Sequence, residues 1–453
     1  MSKVMTKKKL KLSSVQILTL GFLIVILIGG ILLWLPISSA DGEFTNFLDC
    51  LFTSTSAVGV NGLVVIDTGT HWSIFGKVII MILIEIGGLG FMSFATFIVS
   101  FFGKKITLRD RLIMQESMNT FDIQGIVRMV RYIICFTFLI EGLGAAVLSV
   151  RFIPMYGIAK GIFYSIFHSI SAFCNAGFDL FGGYSSLTSF SHDPLILITI
   201  SMIVIIGGIG FAVWIELYNY SYNKNEYRKI STNTKLVLLI TIFLLVVGTL
   251  FILIVEYKNP KTIGSYSILD KITNAFLASA SPRTAGFNSV STSDMTNGGK
   301  LLTILYMYIG GSPGSTAGGI KTTTFGIMMI TVISVIRGRD DAEIFGRKIS
   351  KGFVYKSISL AIIALALVFF VSIILSFTQP SEQYIDVLYE ATSAFGTVGL
   401  TTGVTQRLCT ISKIVIMITM YLGKVGPITV VLAFINSKKK IIYNYPEAKI
   451  LIG

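Results

Sequence analysis

Glycines recur in one local pattern at four places along the 453-residue chain. A small apolar residue precedes each glycine, a large apolar residue follows it, and the four glycines are 118, 109 and 113 residues apart. Glycine adopts positive φ without a side-chain penalty, so consecutive carbonyls can point to one side. Converging carbonyls supply dipoles without fixed charge, which suits weak binding of a desolvated monovalent cation. The segments are Ala57-Val58-Gly59, Asn175-Ala176-Gly177, Thr284-Ala285-Gly286 and Thr397-Val398-Gly399.

The composition indicates that membrane spans surround these glycines. Apolar residues make up 53% of the chain and charged residues 13%, whereas soluble domains carry about 25% charged residues. The mean hydropathy of +0.78 excludes a water-soluble globule, and the 33 phenylalanines oppose disorder. About 20 apolar residues cross a bilayer. Runs of that order cover residues 15–36, 73–102, 132–150, 194–217, 236–256, 301–336, 358–377 and 413–435.

Between the members of each pair of long runs lies a segment too short to cross a bilayer. These segments are residues 45–57, 160–174, 268–281 and 383–395. A helix that ends inside the membrane leaves unsatisfied carbonyls, which are tolerated only where they line a polar cavity. Its C-terminus also carries a partial negative charge that favours a cation. The pattern therefore predicts an all-α membrane protein of eight spans, in which four tandem helix–pore-loop–helix units surround a central pore with pseudo-fourfold symmetry.

The predicted boundaries follow from these runs and from the basic residues. Lysine and arginine cluster in alternate loops, which the positive-inside rule assigns, with both termini, to the cytoplasm. The net charge of +14 is attributed to these cytoplasmic loops. Membrane lipid is therefore an expected partner, and nucleic acid is not. The predicted segments are a basic tail (1–13), pore unit 1 (14–105), pore unit 2 (106–222), pore unit 3 with a broken second helix (223–338), pore unit 4 (339–437) and a C-terminal tail (438–453).

The sixth run is interrupted by glycines, hydroxyl residues and a proline, which cannot continue a helix without a break. Lys424 lies at the matching depth of the eighth run, where a lysine costs about 2.5–3.5 kcal/mol unless polar backbone or a wet cavity receives it. We predict that the interruption lies across the pore as a lid, with Lys424 as its anchor and an electrostatic barrier. A kinked helix and a snorkelling lysine are the alternatives. The predicted loop is Gly310, Gly311, Ser312, Pro313, Gly314, Ser315, Thr316, Ala317, Gly318 and Gly319.

Several other polar residues lie in apolar surroundings. Glu85 and Glu141 fall inside predicted spans, where either structural hydrogen bonding or cation attraction would account for them. Arg283 is expected to brace the backbone beside the third glycine segment. Near the outer ends of the units, three aspartates either concentrate cations or are solvated loop residues. These aspartates are Asp67, Asp179 and Asp294.

A second glycine cluster recurs 24 to 30 residues after the first pattern, inside each even-numbered span. Close helix packing is the plainer explanation for it. The clusters are Gly87-Gly88-Leu89-Gly90, Gly207-Gly208-Ile209-Gly210, Gly310-Gly311 and Gly423-Lys424-Val425-Gly426. The four cysteines and three histidines show no metal-ligand spacing, and no nucleophile–base arrangement indicates an enzyme.

Four linked helix–pore-loop–helix units with single filter glycines resemble the Trk/Ktr/HKT superfamily of potassium transporters, over roughly residues 14–437. Without an extra helix pair before the first unit, the chain is similar to the KtrB type. The resemblance implies potassium bound to backbone carbonyls at Gly59, Gly177, Gly286 and Gly399. It also implies a gating loop at residues 310–319. Sodium-selective plant relatives typically have serine at the first position, so Gly59→Ser is expected to relax selectivity toward sodium. The family usually has arginine where this chain has Lys424.

The resemblance also implies partners. A homodimer is expected to sit on a cytoplasmic nucleotide-binding regulatory ring of the KtrA, KtrC or TrkA type, with the nucleotide on that ring and no cofactor in this chain. The implied function is potassium uptake across a prokaryotic plasma membrane, with sodium dependence left open. The alternatives are a potassium-binding pore subunit of an ATP-driven pump and, more distantly, a secondary carrier for an anionic solute.

Overall fold

The computed structural model describes residues 13–90, 94, 107–118, 125–222 and 229–426, and these are mostly helical. The tail at 438–453 and nearly all of the basic tail at 1–13 lie outside the described residues. The first half of the chain contains α1 Ser14–Trp34, α2 Phe47–Gly59, α3 Ile74–Leu89, α4 Leu108–Met118, α5 Ile126–Tyr156, α6 Ile158–Phe173, α7 Pro194–Ile209 and α8 Phe211–Tyr222.

The second half repeats the order of a long helix, a half-length helix and a further helix. It contains α9 Thr232–Glu256, α10 Ile268–Ala280, α11 Asn297–Tyr308, α12 Thr322–Ile336, β1 Glu343–Ile344, β2 Arg347–Lys348, α13 Lys351–Thr378, α14 Tyr384–Gly396 and α15 Thr410–Val425. The antiparallel pair β1–β2 is a departure from the predicted all-α fold, and it falls within a basic loop. Helices α2, α6, α10 and α14 correspond to the four predicted short segments.

Among the described residues, four helices are long and apolar enough to cross a membrane: α1, α5, α9 and α13, the first helix of each predicted unit. The run predicted over residues 194–217 is bent in its middle, because α8 leaves α7 at an angle of 94°. Gly210 lies between them with φ of +104°, a conformation that glycine tolerates and other residues rarely adopt. If the bent pair is one span, the described residues contain five. The predicted runs 73–102 and 413–435 extend beyond α3 and α15 into residues outside the description.

Each of the first three half-length helices is joined to the long helix before it by a serine. Ser54 Oγ donates to the Ile26 carbonyl at 2.7 Å, and Ser169 Oγ donates to the Glu141 carbonyl at 2.7 Å. Ser279 Oγ makes the matching bond to the Leu245 carbonyl at 3.1 Å. These bonds satisfy buried hydroxyls that would otherwise cost about 1–3 kcal/mol each. The same local chemistry therefore sets the depth of three half-length helices against their neighbours.

The second glycine cluster allows the third helix of a unit to approach the half-length helix. A Cβ added at Gly87 would overlap the Val58 carbonyl oxygen, and one at Gly207 would overlap the Phe173 carbonyl oxygen. Gly423 stands in the same relation to the Phe395 carbonyl oxygen. Close packing is thus an observed role of these glycines.

We expect Gly87→Ala to destabilise the protein by about 1–3 kcal/mol, the usual cost of forcing an extra carbon into a packed interior. Gly142→Ala is the matched control, because a Cβ at that helical glycine would meet nothing within 4 Å. Thermal unfolding of the two purified variants in the same detergent measures the difference. Equal midpoints for Gly87→Ala and the wild type would mean that α3 does not press on α2 as described.

Candidate ion-binding site

Each half-length helix is followed by one residue in the left-handed region and then, two residues later, by a glycine with positive φ. The left-handed residues are Val60, Asn175, Thr284 and Thr397, with φ of 54°, 59°, 76° and 51°. The glycines are Gly62, Gly177, Gly286 and Gly399, with φ of 91°, 69°, 77° and 92°. This repeated conformation turns the chain sharply back from the end of each helix.

The four positive-φ glycines, which we name the ring glycines, form a closed cycle in the order of the chain. A Cβ added at Gly62 would lie 2.5 Å from the Ala176 carbonyl oxygen, and one at Gly177 would lie 2.8 Å from the Ala285 carbonyl oxygen. At Gly286 the nearest atom would be the Val398 carbonyl oxygen, at 2.5 Å. A Cβ at Gly399 would overlap the Asn61 carbonyl oxygen and so close the cycle. Each ring glycine therefore lies against the carbonyl that precedes the ring glycine of the next unit.

The prediction that Gly59 belongs to this ring is wrong. Ala57, Val58 and Gly59 are the last three residues of α2, and Gly62 takes the ring position. A Cβ at Gly59 would meet only the Met420 carbonyl oxygen, at 4.0 Å. Gly59 instead lines a narrow cleft between α1, α2 and α15. Gly59 and Gly62 are both candidates for the ring position in the sequence. Because α2 extends through Gly59, only Gly62 lies at the ring. The other three predicted segments lie at the ring.

A serine six residues before the ring glycine supports the turn in three units. Ser56 Oγ accepts from the Gly62 amide at 3.1 Å, and Ser393 Oγ accepts from the Gly399 amide at 3.1 Å. Ser171 Oγ, at the same offset before Gly177, donates to the Phe178 carbonyl at 2.7 Å. This spacing is visible in the sequence, and it would have identified Gly62 as the ring member of the first unit.

Two further side chains hold the ring segments and were not predicted. Asn61 Nδ2 donates to the Ala394 carbonyl at 3.0 Å, which joins the first segment to the last half-length helix. In α6, His168 Nδ1 contacts the Tyr164 carbonyl at 2.7 Å, and His168 Nε2 accepts from the Leu180 amide at 3.2 Å. Because a carbonyl only accepts, the Nδ1 atom carries the proton, and the imidazole is neutral. The histidine thus fixes the chain just after Gly177.

The predicted loop at 310–319 interrupts the helix between α11 and α12 and lies against two of the ring segments. A Cβ at Gly318 would overlap Thr397 Oγ1, and one at Gly310 would lie 3.2 Å from Thr284 Cγ2. The loop also contacts the second unit, since Thr316 Oγ1 is 3.2 Å from both the Phe173 and the Gly207 carbonyl oxygens. Two backbone bonds, Ser312 N to Gly208 O and Phe211 N to Gly314 O, extend this contact at 2.9 and 2.8 Å.

Two lysines donate to consecutive carbonyls of this loop. Lys424 Nζ lies 2.9 Å from the Thr316 carbonyl oxygen, so the predicted contact between Lys424 and the loop is present. Lys321 Nζ lies 2.6 Å from the Ala317 carbonyl oxygen and was not predicted. Hydrogen bonds from charged donors contribute about 1.5–3 kcal/mol each. The loop is therefore held by Lys321, two residues after its end, and by Lys424 of α15.

The three aspartates and the arginine singled out in the sequence each take part in hydrogen bonds within the protein. Asp67 accepts from the Gly69, Thr70 and Tyr184 amides at 2.8, 3.2 and 3.0 Å, so it joins the outer loops of the first two units. Asp179 Oδ1 accepts from the Phe181 amide at 3.0 Å. The Asp294 carbonyl accepts from Asn259 Nδ2 at 3.0 Å. Arg283 is buried and points at α9, where its Nη2 lies 3.4 Å from Thr241 Oγ1.

Comparison with known proteins places this geometry in a family. A family model described as TrkH, cation transport protein, matches residues 7–442. The chain belongs to the TrkH cation transport family. The resemblance noted from the repeated segments is thereby confirmed at the level of the family. TrkH family membership also agrees with the prediction of a transporter instead of an enzyme.

Relatives within the TrkH family match along nearly their whole length. The potassium/sodium uptake protein NtpJ of Enterococcus hirae is 42% identical, over 98% of each chain. The Ktr system potassium uptake protein B of Bacillus subtilis is 40% identical, over 97% of this chain and 96% of its own. The crystal structure of the potassium transporter TrkH from Vibrio parahaemolyticus superposes with a TM-score of 0.69 at 17% identity, covering 95% of this chain and 86% of that one. The last comparison establishes a shared fold.

Proposed function

We propose that this chain is a potassium-conducting pore that takes up potassium across the plasma membrane of a bacterium. The observation that carries the proposal is the cycle of ring glycines, each of which lies against a backbone carbonyl of the next unit. Carbonyl oxygens replace the hydration shell of a monovalent cation without holding it as tightly as carboxylates would. The C-termini of α2, α6, α10 and α14 add partial negative charge toward the same point. The relative at 42% identity is named as a potassium/sodium uptake protein, and the relative at 40% identity as a potassium uptake protein.

In this proposal eight spans form four units with pseudo-fourfold symmetry around the pore, in the boundaries predicted from the sequence. Potassium binds at the carbonyls of Asn61, Ala176, Ala285 and Val398, next to the ring glycines. The loop at 310–319 is the gate below them. Its contacts with Thr397 and Thr284 on one side and with Lys424 on the other support a lid at the inner end of the filter. Glycine at position 62 keeps the ring free of side chains, which favours potassium over sodium.

The proposed assembly is a homodimer with both termini in the cytoplasm, bound to a separate nucleotide-binding ring. A relative named as protein B of a Ktr system supports a partner subunit. The β1–β2 hairpin offers a docking surface, because its Arg347 and Lys348 are exposed. The tail at 438–453 is a second proposed docking segment. Regulation by nucleotide would then act on the loop at 310–319 through α12 and the hairpin that follows it.

Two rival functions fit less well. A secondary carrier for an anionic solute is expected to direct half-helix N-termini at its substrate, whereas the C-termini face the ring here. The ATP-driven pump subunit remains the alternative for a potassium-selective ring, and family membership over residues 7–442 favours the uptake system.

Purified protein in liposomes that contain no ATP tests the proposal. We expect potassium to enter down its gradient, and an equal concentration of sodium to compete poorly. Empty liposomes and liposomes with heat-denatured protein are the controls. Potassium entry at the level of empty liposomes, from protein that elutes as a single folded species, would overturn the pore, and entry only after ATP and further subunits are supplied would favour the pump.

A further inference from the structure

A cluster of three metal-ligating side chains lies beside the ring, at the contact between the first and second units. Glu85 of α3, Glu141 of α5 and Cys174, directly after α6, each direct one ligand atom to within 4.8 Å of the others. Cys174 Sγ donates a hydrogen bond to Glu85 Oε2 at 3.4 Å. The three residues come from separate helices, so no spacing in the sequence indicates the site.

The carboxyl groups of this cluster are buried and face each other. Glu141 is 5% exposed and Glu85 is 8% exposed. Both carboxylate oxygens of Glu141 and Oε1 of Glu85 accept no hydrogen bond from an amide, hydroxyl or charged donor, and the two carboxyl groups lie close enough to share a proton. Within the described part of the chain, neither carboxylate forms an ion pair. An unpaired charge in such surroundings is strongly destabilising, so the cluster requires a proton or a cation.

The geometry points to a divalent transition-metal cation of the zinc class, bound by Cys174, Glu85 and Glu141. Sulfur and oxygen ligands of tetrahedral zinc, at about 2.3 and 2.0–2.2 Å from the metal, are separated from each other by about 3.5 Å. The observed distance between Cys174 Sγ and Glu85 Oε2 matches that separation. Sodium, magnesium and calcium favour oxygen ligands, and magnesium and calcium take six or more. A thiol with two carboxylates fits them poorly.

The local charges also fit a divalent cation. A thiolate and two carboxylates carry three negative charges, of which a divalent cation neutralises two. Gly88 leaves room for the sulfur, because a Cβ at that position would lie 2.5 Å from Cys174 Sγ. The bound cation would therefore link α3 and α5 to Cys174, the residue directly before the second ring segment.

Cobalt(II) is the probe, because a cobalt–thiolate bond gives a charge-transfer band in the near ultraviolet that carbonyl and carboxylate ligands do not give. Titration of the purified full-length chain is expected to produce this band and to saturate at one cobalt per chain, with zinc displacing the cobalt. Cys174→Ser should abolish the band, and Glu141→Gln should weaken cobalt binding by about 10- to 100-fold. Cys135→Ser is the matched control, because Cys135 is exposed on α5 and should leave the titration unchanged.

Other outcomes would overturn the site. An identical band in Cys174→Ser, or its loss in Cys135→Ser, would place the metal elsewhere. If no band forms and the infrared spectrum shows a protonated carboxyl that Glu141→Gln removes, the two carboxyls share a proton instead. Potassium uptake into ATP-free liposomes separates this inference from the proposed function, because metal binding and potassium entry can each be present without the other. Elution as a single species from size exclusion verifies that each variant is folded.

Discussion

Serine in place of Gly62 is expected to lower the preference for potassium over sodium by about tenfold or more. Gly62 has φ of 91°, and a Cβ there would lie 2.5 Å from the Ala176 carbonyl oxygen. A residue with a side chain costs about 1–3 kcal/mol in that conformation, so the segment relaxes and its carbonyls rotate away from the ring. A change of 1.4 kcal/mol in the difference between two ions alters their ratio tenfold.

Gly59→Ser is the matched control for this experiment. It adds the same side chain three residues earlier, where the nearest atom to a Cβ would be the Met420 carbonyl oxygen at 4.0 Å. Competition between potassium and sodium for uptake into liposomes measures both variants against the wild type. We expect Gly59→Ser to keep the selectivity of the wild type. A loss of selectivity in Gly59→Ser with none in Gly62→Ser would return the filter position to Gly59.

The second large effect is expected at the loop. Lys424→Met should raise potassium flux by about tenfold to a hundredfold, because it removes the bond from the ammonium group to the Thr316 carbonyl. Bonds of this charged kind contribute about 1.5–3 kcal/mol, which is one to two powers of ten in the equilibrium between closed and open loop. The variant also removes a positive charge from the ion path. Initial rates of potassium entry into liposomes, without any partner subunit, give the comparison.

Lys413→Met is the control for Lys424→Met, since both lysines lie on α15. Lys413 pairs with Asp49 at 2.6 Å and is not hydrogen-bonded to the loop. We expect its replacement to affect stability and leave the flux nearly unchanged. Should Lys424→Met fold, insert and conduct at the rate of the wild type, Lys424 does not hold the loop closed.

Hydrophobic run length was sufficient to predict the half-length helices. The segment predicted at 268–281 is the helix Ile268–Ala280, and the other three boundaries agree within about three residues. The break at 310–319 followed from proline and glycine, whose effects on backbone geometry are local. Features set by composition and by single-residue conformational preference were therefore accessible from the sequence.

The error at Gly59 has a different origin. The residues around it, Val58 and Val60, match the apolar neighbours of the other ring glycines, so local similarity favoured it. The serine six residues before Gly62, whose Oγ accepts from the Gly62 amide, was overlooked, and the register is also fixed by a distant contact from Asn61 to the Ala394 carbonyl in the last unit. Such contacts depend on where α2 ends, which composition does not determine. The bend at Gly210 was missed because the apolar run continues through it.

Contacts between residues far apart in the chain could not be predicted from the sequence either. Lys321 lies two residues after the loop, and its sequence context shows only a basic residue in an apolar region. Glu85, Glu141 and Cys174 are far apart in the chain and meet only because α3 packs against the second unit. The sequence left two interpretations open for Glu85 and Glu141: structural hydrogen bonding or attraction of a cation. The structure shows a hydrogen bond from Cys174 Sγ to Glu85 Oε2 and three carboxylate oxygens without a donor; these three oxygens support the proposed cation or a shared proton.

The most direct measurement is the anomalous diffraction of crystals grown in rubidium instead of potassium and recorded at the rubidium absorption edge. If potassium binds as proposed, an anomalous peak is expected on the axis enclosed by the carbonyl oxygens of Asn61, Ala176, Ala285 and Val398. Rubidium is close to potassium in size and chemistry, so it should take the same site. Crystals that diffract equally well but show no anomalous peak between those four carbonyls, with rubidium elsewhere or absent, would contradict the account.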